Sequence, residues 1–257
     1  MSRPNSARPR PGRKAGGRPT LLVGISGASG AAYAVRLVEC AVEAGRQVHL
    51  VVTAAGRMVL ADEVLPPNEG WHGHSPPLAM TMFKTHPKGE RLKHGHRIQP
   101  RVTMPPAVEA CHPAFDLASL WPAAIARHVT YTPAENIAGP PASGSFPAEA
   151  MVVVPCSMNT LAALAHGLAG NLLQRAAYVT LKEGRPLVVV PREMPLSMID
   201  FDNMARLAAA GAAVMPAMPA FYHRPETVAD LVDFVVAKVL DRLKIEHELS
   251  VRWRGSV

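Results

Sequence analysis

Cysteine is scarce in this 257-residue chain: Cys40, Cys111 and Cys156 are three in number, far apart and without CxxC spacing. That argues against a disulfide framework and against a structural zinc site built on cysteine pairs. Long apolar runs are missing as well. No stretch approaches the ~18 residues of a membrane span, and no apolar segment precedes a small-residue cleavage site, so the expectation is a cytoplasmic protein with no membrane partner. Acids are absent from the first twenty residues, where Arg3, Arg8, Arg10, Arg13, Lys14 and Arg18 all fall. These six account for most of the formal net charge of +7 and leave about +1 for the remainder. The basicity therefore belongs to a tail, and nothing in the rest of the chain calls for nucleic acid. With almost no apolar residues, residues 1–19 cannot repay the entropy of ordering and are expected to be disordered. Their alternating Pro and Gly also oppose the amphipathic helix of an organelle transit segment.

What is present is a core. Hydrophobic residues make up 48% of the chain, which is long enough to bury them in one domain. Leu21 to Ile25 reads as a buried strand, Ala31 to Ala44 as a helix ended by Gly45, and Val48 to Val52 as a second strand, a β-α-β unit with a right-handed crossover. Ala54 to Glu63 reads as a short helix. From Pro66 to about Tyr131 the chain turns to Pro, His and Met without periodicity, and seven of the eleven histidines fall there. This span is expected to be an insertion within a single domain covering 20–254. His72 with His74, or His94 with His96, have the HxH spacing of metal ligands, but no Cys, Asp or Glu stands at ligand spacing beside them, so no metal site is expected.

Regularity returns with a strand over Ala150 to Val154 that breaks at Pro155, then helices over Thr160 to Leu168 and Asn171 to Lys182. A strand over Pro186 to Val190, a helix over Phe201 to Ala210, a short strand over Ala213 to Met215 and a long amphipathic helix over Pro225 to Leu243 complete the pattern. Alternating apolar strands and helices specify an α/β, Rossmann-like or flavodoxin-like three-layer sandwich around a mostly parallel sheet. Ligands of such sheets sit beyond the carboxyl ends of the strands.

Two of those strand ends are rich in small residues. SGASG, Ser26 to Gly30, opens a helix directly after a strand, so unpaired backbone N–H groups and the helix dipole face any bound anion. It is not GxGxxG, and Thr53 rather than an acid ends the second strand, so a mononucleotide such as FMN fits better than a dinucleotide. PCSMNT, Pro155 to Thr160, forms a second small-residue turn, although Ser157 or Asn159 could serve simply as helix caps. Farther on, Arg192 and Glu193 follow a buried strand, and Tyr222, His223 and Arg224 precede the last helix, a set able to hold a second phosphate.

GISGASG, PASGS at Pro141 to Ser145, VVVPCSMNTLAALAHG, NLLQRAAYVTLKEGRPLVVVPREMPLS, NMARLAAAGAAVMPAMPAFYHRP and LVDFVVAKVL together resemble the UbiX-type flavin prenyltransferases, over residues 20–65 and 136–254. The resemblance implies a homo-oligomer, up to a dodecamer, that attaches a dimethylallyl group to N5 and C6 of reduced FMN without a metal; the prenylated FMN serves UbiD-type decarboxylases. Position by position, it implies that FMN meets Gly27, Ala28, Ser29, Thr53, Ser157, Met158, Asn159, Thr160 and Arg175. Dimethylallyl phosphate is implied to meet Tyr222 and Lys238, with Lys182, Arg192 and Glu193 around its phosphate. Glu63 is implied to work with Ser29 in proton transfer. Thr53 stands where many relatives have serine, Lys238 where arginine is common, and Ile137 and Gly139 where an aromatic is common before PPASGS. No side-chain nucleophile is required, so Cys156 is expected to be a wall of the site. Two other readings stay open: a flavin-dependent decarboxylase of the related cysteine-decarboxylase group, and a non-catalytic flavin carrier.

Overall fold

A computed structural model describes residues 18–64 and 120–249, all of which fall in one compact unit. The six strands among the described residues form one parallel sheet in the order β3-β2-β1-β4-β5-β6. In chain order the elements are β1 (Thr20–Ile25), α1 (Ala31–Glu43), β2 (Gln47–Val52), α2 (Ala54–Glu63), α3 (Ala123–Ala126) and β3 (Val129–Pro133). Then come β4 (Ala148–Cys156), α4 (Met158–Ala165), α5 (Leu172–Lys182), β5 (Leu187–Pro191), α6 (Met198–Ala209), β6 (Ala213–Val214) and α7 (Val228–Leu243). The strand order is that of a Rossmann fold, and the order reverses between β1 and β4.

Beyond Thr20 and Glu149 near their starts, both central strands are apolar because helices cover both sheet faces. Right-handed crossovers outward from β1 and outward from β4 place α1 and α5 on opposite faces. On the α5 face, Leu22, Val51, Met151, Leu172, Leu173 and Leu187 pack into one cluster with no more than 1% of each exposed. Burying each such side chain contributes ~1.5–3 kcal/mol, so this cluster fixes the frame that carries the strand ends.

Five elements differ from the sequence reading, each for a local reason. β4 does not stop at Pro155 but continues to Cys156, with its register against β5 shifting between Val153 and Cys156. Proline has no N–H for the ladder, and the strand absorbs it as an irregularity rather than ending. Helix α6 starts at Met198 and α7 at Val228, because Ser197 with Asp200 and Thr227 with Asp230 form reciprocal capping boxes. Helix α4 starts at Met158 on the cap of Ser157 and ends before Gly167, whose φ of 67° suits glycine. The fifth is β3, which pairs with β2 within a stretch read as irregular. Its sequence, VTYTP, is that of a short half-exposed edge strand, too polar to stand out. The basic tail up to residue 17 and the HxH pairs lie outside the described residues.

Candidate active site

The two small-residue turns meet at the point where the strand order reverses. Ser26, only 1% exposed, donates its hydroxyl to the Pro155 carbonyl at 3.0 Å and accepts the Ser157 N–H at 2.7 Å. Its own N–H also reaches the Pro155 carbonyl at 3.2 Å. One buried hydroxyl thus laces the ends of β1 and β4 together. Thr53, at the end of β2, completes the row: its N–H donates to the Ile25 carbonyl at 3.0 Å and its hydroxyl accepts the Gly56 N–H at 3.0 Å.

Helices α1, α2 and α4 all begin along this edge, so three sets of amide N–H groups and three positive dipole ends gather there. Each has a cap. Thr53 caps α2, and Ser157 caps α4 by accepting the Thr160 N–H at 3.3 Å. Helix α1 starts at Gly30, whose φ of 114° excludes a Cβ, and takes its cap from across the edge: the Glu63 carboxylate, at the end of α2, accepts both the Gly30 and Ala31 N–H groups at 2.8 Å. Both bonds fall on Oε2. Gly27 lies so close to α2 that a Cβ there would stand 2.5 Å from that of Ala55. Backbone, small hydroxyls and the Asn159 amide therefore make up the surface of the cradle.

The cations that follow β5 join this cradle directly. Arg192 donates Nε–H to the Ser29 carbonyl at 3.1 Å, and its backbone N–H reaches the Cys156 carbonyl at 3.3 Å. Beside it the Glu193 carboxylate accepts the Met194 N–H at 3.0 Å. Tyr33, which the sequence reading leaves unassigned, lies against Gly30 and near Arg192; burial raises its phenol above the ordinary value, partly offset by the Arg192 charge, so it stays a donor. The segment after β6 runs alongside, with Ala217 N–H on the Pro191 carbonyl at 3.0 Å, and leads to Tyr222. Complete burial pushes the Cys156 thiol far up, so no thiolate is available there.

A family model described as Flavoprotein matches residues 10–240. Over 231 residues the chain is 38% identical to the flavin prenyltransferase UbiX of Halalkalibacterium halodurans, covering 90% of this chain and 91% of the relative. Over 236 residues it is 39% identical to that of Pseudomonas aeruginosa, covering 91% and 93%. The chain belongs to the UbiX family of flavoproteins. Two solved UbiX structures align over nearly the whole fold. One is AnUbiX (PadA1) in complex with FMN and dimethylallyl pyrophosphate, with a TM-score of 0.66 at 27% identity, covering 93% of this chain and 100% of the other. The other is a dodecameric FMN-dependent UbiX-like decarboxylase from Escherichia coli O157:H7, with a TM-score of 0.67 at 35% identity, covering 92% and 100%.

Of the residues that the UbiX likeness implies, the structure brings together Gly27, Ala28, Ser29, Thr53, Glu63, Ser157, Met158, Asn159, Thr160, Arg192 and Glu193 on one sheet edge. It does not bring Lys182 to them. Arg175, exposed in the first turn of α5, is at the end of that helix whose Leu172 N–H reaches the Ala134 carbonyl just past β3, whereas Lys182 is exposed in the last turn, paired to Glu183 at 3.1 Å. Arg192 follows β5 whereas Lys182 precedes it, so the two stand at opposite edges, ~17 Å of strand apart. The PASGS turn shares the Lys182 end: Arg185 bonds the Gly144 and Phe146 carbonyls, and Gly144 lies against Glu183. Lys182 thus stands at the edge of the sheet opposite Arg192. Among the described residues no group of three or more His, Cys, Asp or Glu is arranged to hold a metal, and no helix is long and apolar enough to cross a membrane.

Proposed function

We propose that this protein joins the dimethylallyl group of dimethylallyl phosphate to N5 and C6 of reduced FMN. The product is the prenylated FMN cofactor of UbiD-type decarboxylases, and we place the work in the cytoplasm. The observation that carries the reading is the bond between Arg192 and the Ser29 carbonyl, which couples a cation suited to a departing phosphate to a cradle suited to a flavin. The cradle's donor set fits FMN: N–H groups, small hydroxyls and one amide, open to close backbone approach, suit a phosphate monoester and the polar rim of a flat ring.

When bound, reduced FMN supplies the nucleophile. Gly27, Ala28, Ser29, Thr53 and Ser157 to Thr160 orient it, and Arg175 adds a charge. Glu63 fixes the first turn of α1 through Oε2, and Oε1, which nothing bonds among the described residues, is left to exchange a proton with the Ser29 hydroxyl. Arg192, Lys182, Lys238 and the Tyr222 phenol stabilise the negative charge that develops on the leaving phosphate, and Glu193 balances their charge. Since Lys182 stands at the opposite edge of the sheet from Arg192 within one copy, the site is completed between copies of a homo-oligomer. Exposed Met194, Met198 and Ile199, 87%, 72% and 70% exposed, adjoin Arg192 and Glu193 and support burial of that edge by a neighbour.

The deciding experiment is anaerobic: protein, reduced FMN and either dimethylallyl monophosphate or diphosphate, with mass spectrometry of the flavin. A gain of one prenyl mass is expected, and no adduct with either donor overturns the proposal. A carrier would retain FMN without turnover. A decarboxylase would release carbon dioxide from an acid without any prenyl donor.

A further inference from the structure

Phe234, on α7, has no role in the reading above, yet three groups on the donor side converge on its ring. Tyr222 meets it edge-on, with centroids 6.0 Å apart and planes at 84°. His223 stacks on it at 5.3 Å with planes 5° apart. Lys238 Nζ lies over the ring, 5.7 Å from its centroid. Tyr222 and His223 also meet each other edge-on at 5.7 Å.

Besides this ring, His223 lies within reach of the Asp230 charge. Tyr222 is 76% exposed on an irregular segment between β6 and α7, and Lys238 is a long side chain on an exposed helical position. The ring itself is better fixed. Phe234 is half-buried one helical turn before Lys238, and with Met215, Pro216, Met218, Val235 and Lys238 it lines a cavity of about 210 Å³. An aromatic face attracts an ammonium within ~6 Å, and i, i+4 neighbours on a helix meet directly. Lysine lacks the planar fork with which a guanidinium directs itself onto a phosphate. A neighbouring ring can supply that direction.

We infer that Phe234 is a positioning residue whose ring holds the Tyr222 phenol, the His223 imidazole and the Lys238 ammonium as one preorganised anion-binding cluster. That the anion is an allylic phosphate rests on the function proposed above; the cluster itself rests on the ring contacts. Preordering removes the entropy cost of gathering flexible side chains when the anion arrives.

The test uses the full-length protein with Phe234→Leu and Phe234→Met, which remove the ring, and Phe234→Tyr, which keeps it. Two quantities are read: binding of inorganic phosphate to the flavin-free protein by titration calorimetry, and KM and kcat for dimethylallyl phosphate at saturating reduced FMN. The ringless variants should bind phosphate roughly three- to tenfold more weakly and raise KM by a similar factor. Their kcat should stay within about twofold, with FMN affinity unchanged, and the Tyr variant should behave like the parent protein. Should the Leu variant not fold, Met, similar in volume, carries the same comparison. Parental phosphate binding in a folded ringless variant overturns the inference, as does equal loss in the Tyr variant, which would point to packing. If the parent protein forms no prenyl adduct but the ringless variants still lose phosphate, the cluster stands and the prenyl donor falls.

Discussion

At the scale of single residues, reactivity and importance part company. Cys156 is the most nucleophilic side-chain type in the PCSMNT turn, yet it is fully buried with its thiol held protonated, so it can only shape the wall behind the cradle. Cys156→Ser should therefore keep prenyl transfer within a fewfold of the parent rate, checked by the same anaerobic assay; a loss of three or more orders of magnitude would mean a covalent role. Ser26 is the reverse case. Its hydroxyl is taken up by protein groups, yet it joins the two strand ends that carry the cradle. The sequence displays it inside SGASG, where it reads as one more small loop residue. Its bonds run to Pro155 and Ser157, some 130 positions away, and only the folded sheet reveals such partners.

Among elements, the first half of the sheet could be read almost residue for residue. β1, α1, β2 and α2 have strong apolar periodicity and are bounded by Gly30, Gly45 and Thr53, each with a conformational or capping reason to stand there. β3 was not legible, because an edge strand needs no continuous apolar run. What secures β3 is partly His49, buried on β2, whose Nε2 lies 2.9 Å from the Thr132 hydroxyl of β3 while its ring meets Phe146 edge-on at 5.2 Å. Burial lowers the His49 pKa below the ordinary histidine value of about 6.5. The folded state thus resists protonation more than the unfolded state does. Stability is unaffected by this group above pH ~6.5, falls as pH drops below that value at no more than ~1.4 kcal/mol per pH unit, and levels off below the folded pKa. His49→Gln should flatten that portion of a melting-temperature profile between pH 7 and 5; an unchanged acid limb would show that other groups set it.

For the whole molecule, what decides is that Lys182 stands at one edge of the sheet and Arg192 and Glu193 at the other. Family likeness supplied both sets of residues but could not say that one copy of the chain separates them, because a motif records order along the chain and not the direction in which a helix face looks. Here Lys182 and Arg192 bracket β5, and no side chain spans that strand. Mixed assemblies should expose the sharing: Lys182→Ala and Glu193→Gln, each impaired alone, should together restore activity when co-expressed and purified through two different tags. Random pairing of two subunits at each site leaves about a quarter of sites intact. Mixed oligomers no more active than the separate variants would place both residues' action within one copy.

β6 carries one more consequence. It has only Ala213 and Val214 as regular strand, and the segment that continues beside β5 carries Pro216 and Pro219, which lack an N–H, so this border offers an incoming strand little to pair with. Copies that gather on that flank must do so through side chains, by helix faces and loops, and each encounter can be undone by a single substitution. The route toward fibrous stacking through backbone is narrow there. Assembly on that side is therefore under the control of sequence, not of the polypeptide's generic appetite for hydrogen bonds.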